Sequence, residues 1–247
     1  MNAFLKHLSV QFKMDVREKG TLMTFYIIPL TFFAVMGAVF SSINAASKET
    51  LISSMIIFAT TMGAVLGIPI PLIDMRESGV LRAYRVNGIP GPAVLLIQAA
   101  SAFLHLSVTS LIILITAPIL FGASLPKNYG AFFLILICLL FTNIMLGLLI
   151  GVTCRSQSSS TMLSQAIFLP SLMLSGIMFP SDMLPKPLML LGRIFPATHI
   201  MQSFSGLAFG LSTQYSPVLA LGICVCIGAA AAAFAFGRFH AAGRAQA

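Results

Sequence analysis

Apolar residues fall in runs that are too long and unbroken for the elements of a soluble domain. Leu51 to Ile73 is twenty-three residues without a charge. Comparable runs cover about Thr21–Phe40, Ala93–Phe121, Tyr129–Val152, Thr161–Phe179 and Pro217–Phe236. A helix needs about twenty such residues to cross the hydrocarbon core of a bilayer. The pattern predicts an all-α polytopic membrane protein with six transmembrane helices in one domain over residues 1–247. Ala93–Phe121 exceeds the length of a simple crossing, which predicts tilt, a kink near Pro118 or a start outside the membrane.

Three polar intervals depart from plain connecting loops. In residues 1–20, Phe4, Leu5, Leu8, Phe12 and Val16 share one helical arc, with Lys6, Lys13 and Arg17 opposite. This predicts an interfacial helix with its apolar side turned inward. In the 74–92 loop, Asp74, Arg76, Glu77, Arg82 and Arg85 are five of the chain's twenty charged residues (14 basic, 6 acidic). Ser78 or Gly79 can open a short helix there, and Asn87-Gly88 followed by Pro90 and Pro92 must close it. Val80, Leu81 and Tyr84 fall on one side of that helix, Arg82 and Arg85 on the other. In 180–216, Pro180, Pro185, Pro187 and Pro196 break up apolar stretches too short to cross, which predicts short re-entrant helices.

Composition agrees with the membrane reading: 58% of the residues are hydrophobic and 8% charged, against about 25% charged in a soluble domain. The formal charge of +8 is scattered through short loops without a basic block, which argues for lipid headgroups and against nucleic acid. With six spans the termini share a side. That side holds ten Lys and Arg (Lys6, Lys13, Arg17, Lys19, Arg76, Arg82, Arg85, Arg155, Arg238, Arg244) and the other holds four (Lys48, Lys127, Lys186, Arg193). The excess predicts cytoplasmic termini, a cytoplasmic 74–92 loop and an external 180–216 region. Cys138, Cys154, Cys224 and Cys226 have neither disulfide nor metal spacing and read as small hydrophobes.

No hydrolase or nucleotide-binding motif occurs, and the four histidines (His7, His105, His199, His240) lie in separate segments. The sequence therefore predicts no catalytic, cofactor or metal site in this chain. The acids lie outside the predicted spans, and His105 is expected to hydrogen-bond a neighbouring helix. Gly63/Gly67 and Gly147/Gly151 are small-xxx-small pairs suited to close helix packing. Two other readings stay open: a secondary, ion-coupled carrier, which a buried ionisable group would favour, and a membrane-embedded lipid-modifying enzyme.

The stretch RESGVLRAYRVNGIPGPAVLL is similar to the E-x-G-x-L-R loop of the type-2 ATP-binding-cassette (ABC) permeases, with Glu77, Gly79, Leu81 and Arg82 in the motif positions. The stretch LSGIMFPSDMLPKPLMLLGRIFPATHIMQSF resembles that family's SG-x-x-FP…P…P-x-(T/S) region through Ser175, Gly176, Phe179, Pro180, Pro196, Thr198 and His199. The resemblance implies the membrane subunit of a bacterial ABC exporter of drugs, antibiotics or lipids. It implies a coupling helix (Glu77, Gly79, Val80, Leu81, Arg82, Tyr84, Arg85) that docks on a separate ATPase holding ATP and Mg. It implies pairing with a second copy or a homologous permease in the inner membrane, with the second and fifth spans lining the pathway. Thr60, Thr61, Gln165, Phe168, Leu172 and Ser175 are the pathway candidates on those spans. The chain lacks Trp, whereas polysaccharide exporters of the family are rich in interfacial aromatics, so that cargo class is disfavoured.

Overall fold

The structure is a computed structural model that describes residues 3–43, 45–80, 84, 86, 90–178 and 183–244. Among these residues every regular element is helical. An N-terminal helix α1 (Ala3–Arg17) precedes α2 (Lys19–Ser42), α3 (Ser47–Glu77), α4 (Gly91–Phe121) and α5 (Tyr129–Thr153). Then come α6 (Gln157–Leu174), the short α7 (Lys186–Gly192) and α8 (Pro196–Ser203), and the long α9 (Pro217–Arg244). Five of these, α2 to α5 and the Pro217–Phe239 part of α9, are long and apolar enough to cross a membrane. Helix α6 is not among them. Its 18 residues rise about 27 Å, and its first turns are Gln157, Ser158, Ser159, Ser160 and Thr161. The fifth apolar run of the sequence is thus a shorter helix with a more polar start than Thr161–Phe179 suggests.

Packing registers give the direction of each helix. Gly147 faces Ala64 and Gly151 faces Pro69 and Leu72, so α5 runs parallel to α3. Phe25 lies beside Thr109 and Gly37 beside Phe121, so α4 runs parallel to α2. Asp74 meets Gln157, Val65 meets Ser164 and Phe58 meets Phe168, so α6 runs antiparallel to α3. Gly91 at the start of α4 abuts Phe239 near the end of α9. Helices α2, α4 and α6 therefore point one way, and α3, α5 and α9 the other. One end of the bundle gathers α1, residues 78–80, 84, 86 and 90, and 153–157. The opposite end gathers residues 122–128, α7 and α8.

Helix α3 is the centre. Buried residues make up 78% of its most apolar stretch, against 22% for α2 and 28% for α9. The small residues explain how it is enclosed. A Cβ on Gly147 would lie 2.2 Å from the Ala64 carbonyl oxygen, a distance no side chain permits, so only glycine lets α5 approach α3 this closely. The Asn143 side chain amide donates to Thr60 at 3.3 Å and Thr61 at 3.1 Å in the same interface.

Two prolines show how the bundle satisfies its backbone. Pro29 and Pro69 have no N–H, so each frees the carbonyl four residues back. Both are preceded by a widened π-helical turn, Met23–Ile27 and Gly63–Gly67. The freed carbonyls are taken up by hydroxyls of other helices: Thr109 donates to Phe25 O at 2.8 Å, and Ser164 donates to Val65 O at 2.6 Å. In a setting without water such carbonyls need a protein partner.

Helix α1 departs from its apolar pattern. The side chains turned to the bundle are His7, Leu8, Gln11, Phe12 and Asp15, while Val16 is 42% exposed. The helix docks on α4 through a stripe half polar, because Ser101 and His105 of α4 meet Asp15 there, and Gln11 donates to Asp15 from the next turn of α1. The side chains of Phe4 and Leu5 lie outside the described residues.

Candidate functional site

The sequence candidates fall at the two ends of the bundle. At the α1 end, helix α3 runs on through Glu77 instead of ending at Ile73, so Asp74, Arg76 and Glu77 form its last turn. Two of them tie that turn to its neighbours: Gln157 at the start of α6 donates to Asp74, and Arg76 donates to the Cys154 carbonyl at the end of α5. Gly79 stops the helix in a left-handed conformation, φ 76°, which glycine adopts without strain. The helical conformation resumes at Val80 and is present at Tyr84 and Val86. Val80 and Val86 are 37% and 82% exposed. Tyr84 is half-buried, with its hydroxyl 3.4 Å from His7 Nε2 and the two rings 5.2 Å apart. One of the three apolar candidates of this segment therefore turns to α1. Leu81, Arg82 and Arg85 lie outside the described residues.

At the other end, the Ser-Gly pair finishes α6. Ser175 closes the helix and Gly176 takes a left-handed φ of 79°. Pro196 begins α8, where a missing N–H costs nothing. Thr198 Oγ1 lies 2.9 Å from Ser175 Oγ and 2.5 Å from the Gly192 carbonyl. His199 Nε2 sits 2.8 Å from the Arg193 carbonyl, and its Nδ1 sits 2.7 Å from the Tyr215 hydroxyl. The Arg193 guanidinium stacks 5.2 Å over the Tyr215 ring. Burial is the main cause that holds the His199 imidazole below its ordinary pKa, and the Arg193 charge adds to it against the lift from the Arg193 carbonyl bond. Burial pushes the Tyr215 phenol up, with Arg193 opposing. Ser175, Pro196, Thr198 and His199 thus form one fastened unit. Phe179 and Pro180 lie outside the described residues.

The pathway candidates divide by helix. Thr60 and Thr61 are buried against Asn143 in this chain's own core. Phe168 and Ser175 are buried, Leu172 is half-buried and Gln165 is exposed. Gln165 shares an exposed side of α6 with Met162, Leu169 and Met173, which are 71%, 52% and 54% exposed.

One cluster escaped the sequence patterns. Asp15 of α1 lies 3.7 Å from His105 of α4, and the Tyr26 hydroxyl of α2 lies 2.7 Å from the other ring nitrogen. His105 does bond a neighbouring helix, as its sequence setting suggests. Asp15 lies outside the spans yet is buried against one. Nothing local marks these contacts, which join residues 79 or more positions apart.

The helical bundle, with several helices able to cross a bilayer, defines a multi-pass membrane protein. The family model for ABC-2 type transporters matches residues 4–209, and the chain belongs to that family. It is 25% identical over 195 residues to a protein of Porphyra purpurea named as a transport permease, ycf38, covering 75% of this chain and 67% of that one. It is 32% identical over 79 residues to "ABC transporter G family member 20" of Dictyostelium discoideum, covering 32% of this chain. It spans only 11% of that relative's length. The family and the permease relative mark the chain as a transport subunit rather than an enzyme.

Proposed function

We propose that this protein is the permease of an ATP-driven exporter for a hydrophobic or amphipathic molecule such as a drug, antibiotic or lipid. ATP and Mg belong to a separate subunit. The observation that carries the reading is the exposed helical segment after Gly79. It projects from the end of the most enclosed helix, and that end is tied to α6 through Asp74 and to the end of α5 through Arg76. A push on this segment acts on the centre of the bundle. Val80 and Val86, with Leu81 beside them, supply apolar side chains for a groove, and Glu77, Arg82 and Arg85 set the register by charge.

In the proposed arrangement α6 is the fifth of six spans. Its antiparallel register against α3 from Gln157 to Phe168 supports a crossing. The ten-to-four distribution of Lys and Arg puts α1 and both termini on the cytoplasmic side of a bacterial inner membrane, and α7 and α8 outside. Two copies, or this chain and a homologous permease, meet along the exposed side of α6, with the enclosed α3 behind it. Gln165 and Leu172 face the route, and Phe168 and Ser175 lie behind it. Thr60 and Thr61 act from within the protomer by fixing Asn143.

Purification of the tagged permease from its native membrane tests the core of this reading. The expected result is a stoichiometric ABC ATPase. Val86→Asp should release the ATPase while the permease inserts normally. Recovery of the permease without any ATPase, under mild detergent and in nanodiscs alike, would sink the proposal.

A further inference from the structure

Helices α4 and α5 leave a groove of about 520 Å³ between them, and Leu8 of α1 closes one side of it. On its floor Ala99, Ile144 and Met145 are buried, while Leu96, Leu104 and Ile137 stand exposed on its rim. The sequence supplies the cause. Ala99 and Ala100 follow one another on α4, and two methyl groups leave open the space that larger side chains would fill. Where Ala64 meets Gly147 the helices close on one another; here the alanines meet Ile144 and Met145, which hold the helices apart.

Among the described residues every side chain lining the groove is apolar. Water is a poor occupant, because an enclosed water needs about three polar partners. An empty groove forfeits the dispersion contacts of its walls. Both helices are long and apolar enough to cross a membrane, and the rim is open on their outer side. The bilayer is therefore the source of the occupant. From Leu96 to Leu104 α4 rises about 12 Å, against about 15 Å for one leaflet's share of the hydrocarbon core. Charge marks one end. Helix α1 is fixed beside the groove, since Asp15 accepts from Ser101 and lies 3.7 Å from His105, both on α4. Its acid is thus turned inward, while Lys6 and Lys13, two and five residues from Leu8, are exposed.

We propose that this groove is a binding site for one acyl chain of an anionic phospholipid, whose phosphate meets Lys6 and Lys13 of α1. The chain fills the joint between α1, α4 and α5, and the lysines select the headgroup. The lipid is a resident and not cargo, because the pathway candidates lie on α3 and α6 and none lines the groove. The cytoplasmic leaflet supplies it; that point alone rests on the topology proposed for the exporter.

The chain has no Trp, so a single introduced indole reports one place. Ile137→Trp reads the groove, and Met23→Trp, exposed on α2, reads the general lipid surface. Each variant is placed in phosphatidylcholine vesicles with a rising fraction of phosphatidylglycerol brominated on its acyl chains. Quenching at Ile137→Trp should reach half its limit at an about fivefold lower fraction than at Met23→Trp. Adding Ala100→Phe, which fills the groove, should bring the two curves together. Ala100→Leu, a smaller filler, serves if the phenylalanine variant fails to fold. Lys6→Gln with Lys13→Gln should remove the preference for phosphatidylglycerol while brominated phosphatidylcholine still quenches. Equal half-points at the two positions would overturn the site, and a preference that survives both fillers would place it elsewhere. A preference that survives the loss of both lysines would overturn the headgroup assignment. The permease alone suffices for these measurements, so failure to recruit an ATPase would sink the exporter reading and leave the lipid site to be decided here.

Discussion

Two histidines in this protein each hold a tyrosine hydroxyl 2.7 Å from Nδ1, and their surroundings are opposite. His199, among the short helices, completes its second bond on the Arg193 carbonyl, with a guanidinium close by. His105, in the half of the bundle that carries α1, turns its second nitrogen to a carboxylate 3.7 Å away without a hydrogen bond. The first pair is built from residues 16 apart in the chain, the second from residues 79 apart. The same two side chains thus serve as a local fastening in one place and as a joint between three helices in the other. What differs is the charge each histidine must live beside. Arg193 leaves a neutral ring as the stable occupant, whereas Asp15 has His105 as its single partner at ion-pair range among the described residues.

The sharpest way to break the comparison is to remove each ring. His105→Leu leaves Asp15 buried without that partner, and loss of one member of a buried pair costs about 3–5 kcal/mol. The expected outcome is poor folding, seen as loss of the monodisperse peak in size-exclusion chromatography. Adding Asp15→Asn should recover most of the folded protein, because the cost lies in the stranded charge. If the double variant behaves no better than His105→Leu alone, the ring matters for its volume and not for Asp15.

The contrast also shows what the chain discloses. Five of the six span positions, the Pro-broken region and the glycine pairs were legible because hydropathy and small-residue spacing are local signals. Gly147 against Ala64 is the direct outcome of such spacing. The contact of α1 with the bundle was not legible for a related reason: a helical wheel ranks Val16 above Asp15 as a buried position, and only the Ser101 and His105 side chains on α4 account for the burial of Asp15. The end of α3 was misplaced because Asp74 looks like a loop residue until Gln157 is seen beside it. Ser175, Thr198 and His199 were found through resemblance, but Tyr215, which completes that unit, carries no motif of its own.

The second cut falls on the local pair. His199→Leu removes two hydrogen bonds and strands the Arg193 carbonyl, at about 1–3 kcal/mol. The expected effect is a lower thermal midpoint with the chromatographic peak intact, less than the loss for His105→Leu. Equal losses would erase the distinction between a fastening and a joint. A third measurement tests the hydroxyl bridges around the prolines. Ser164→Ala leaves the Val65 carbonyl without its side-chain donor and Thr109→Ala does the same to Phe25; each should lower stability by about 0.6–1.7 kcal/mol, the range of such bonds inside membranes. Replacing Pro69 by Ala restores the N–H and should make Ser164→Ala nearly neutral. Persistence of the full loss in the Pro69→Ala background would show that Ser164 does something other than cap Val65.

The smallest expected effect is the pH response of the His199 unit, and its sign follows from the lowered pKa. Burial and Arg193 hold the folded imidazole below its ordinary value of about 6.5. Between the folded and unfolded values the unfolded chain binds more protons than the native one, so stability falls as pH falls through that window. Above about 6.5 the unit keeps its full stability. In acid, a proton on Nδ1 meets the Tyr215 hydroxyl, which must turn from donor to acceptor, and the Arg193 guanidinium repels the new charge. Hydrogen exchange of the 193–216 stretch, corrected for intrinsic rates, should therefore be faster at pH 5.5 than at pH 7.5. His199→Gln should remove the difference, since an amide has nothing to titrate in that range. Slower exchange at the lower pH would mean that the imidazole gains a partner on protonation, and the description of His199 as a neutral fastening would be wrong.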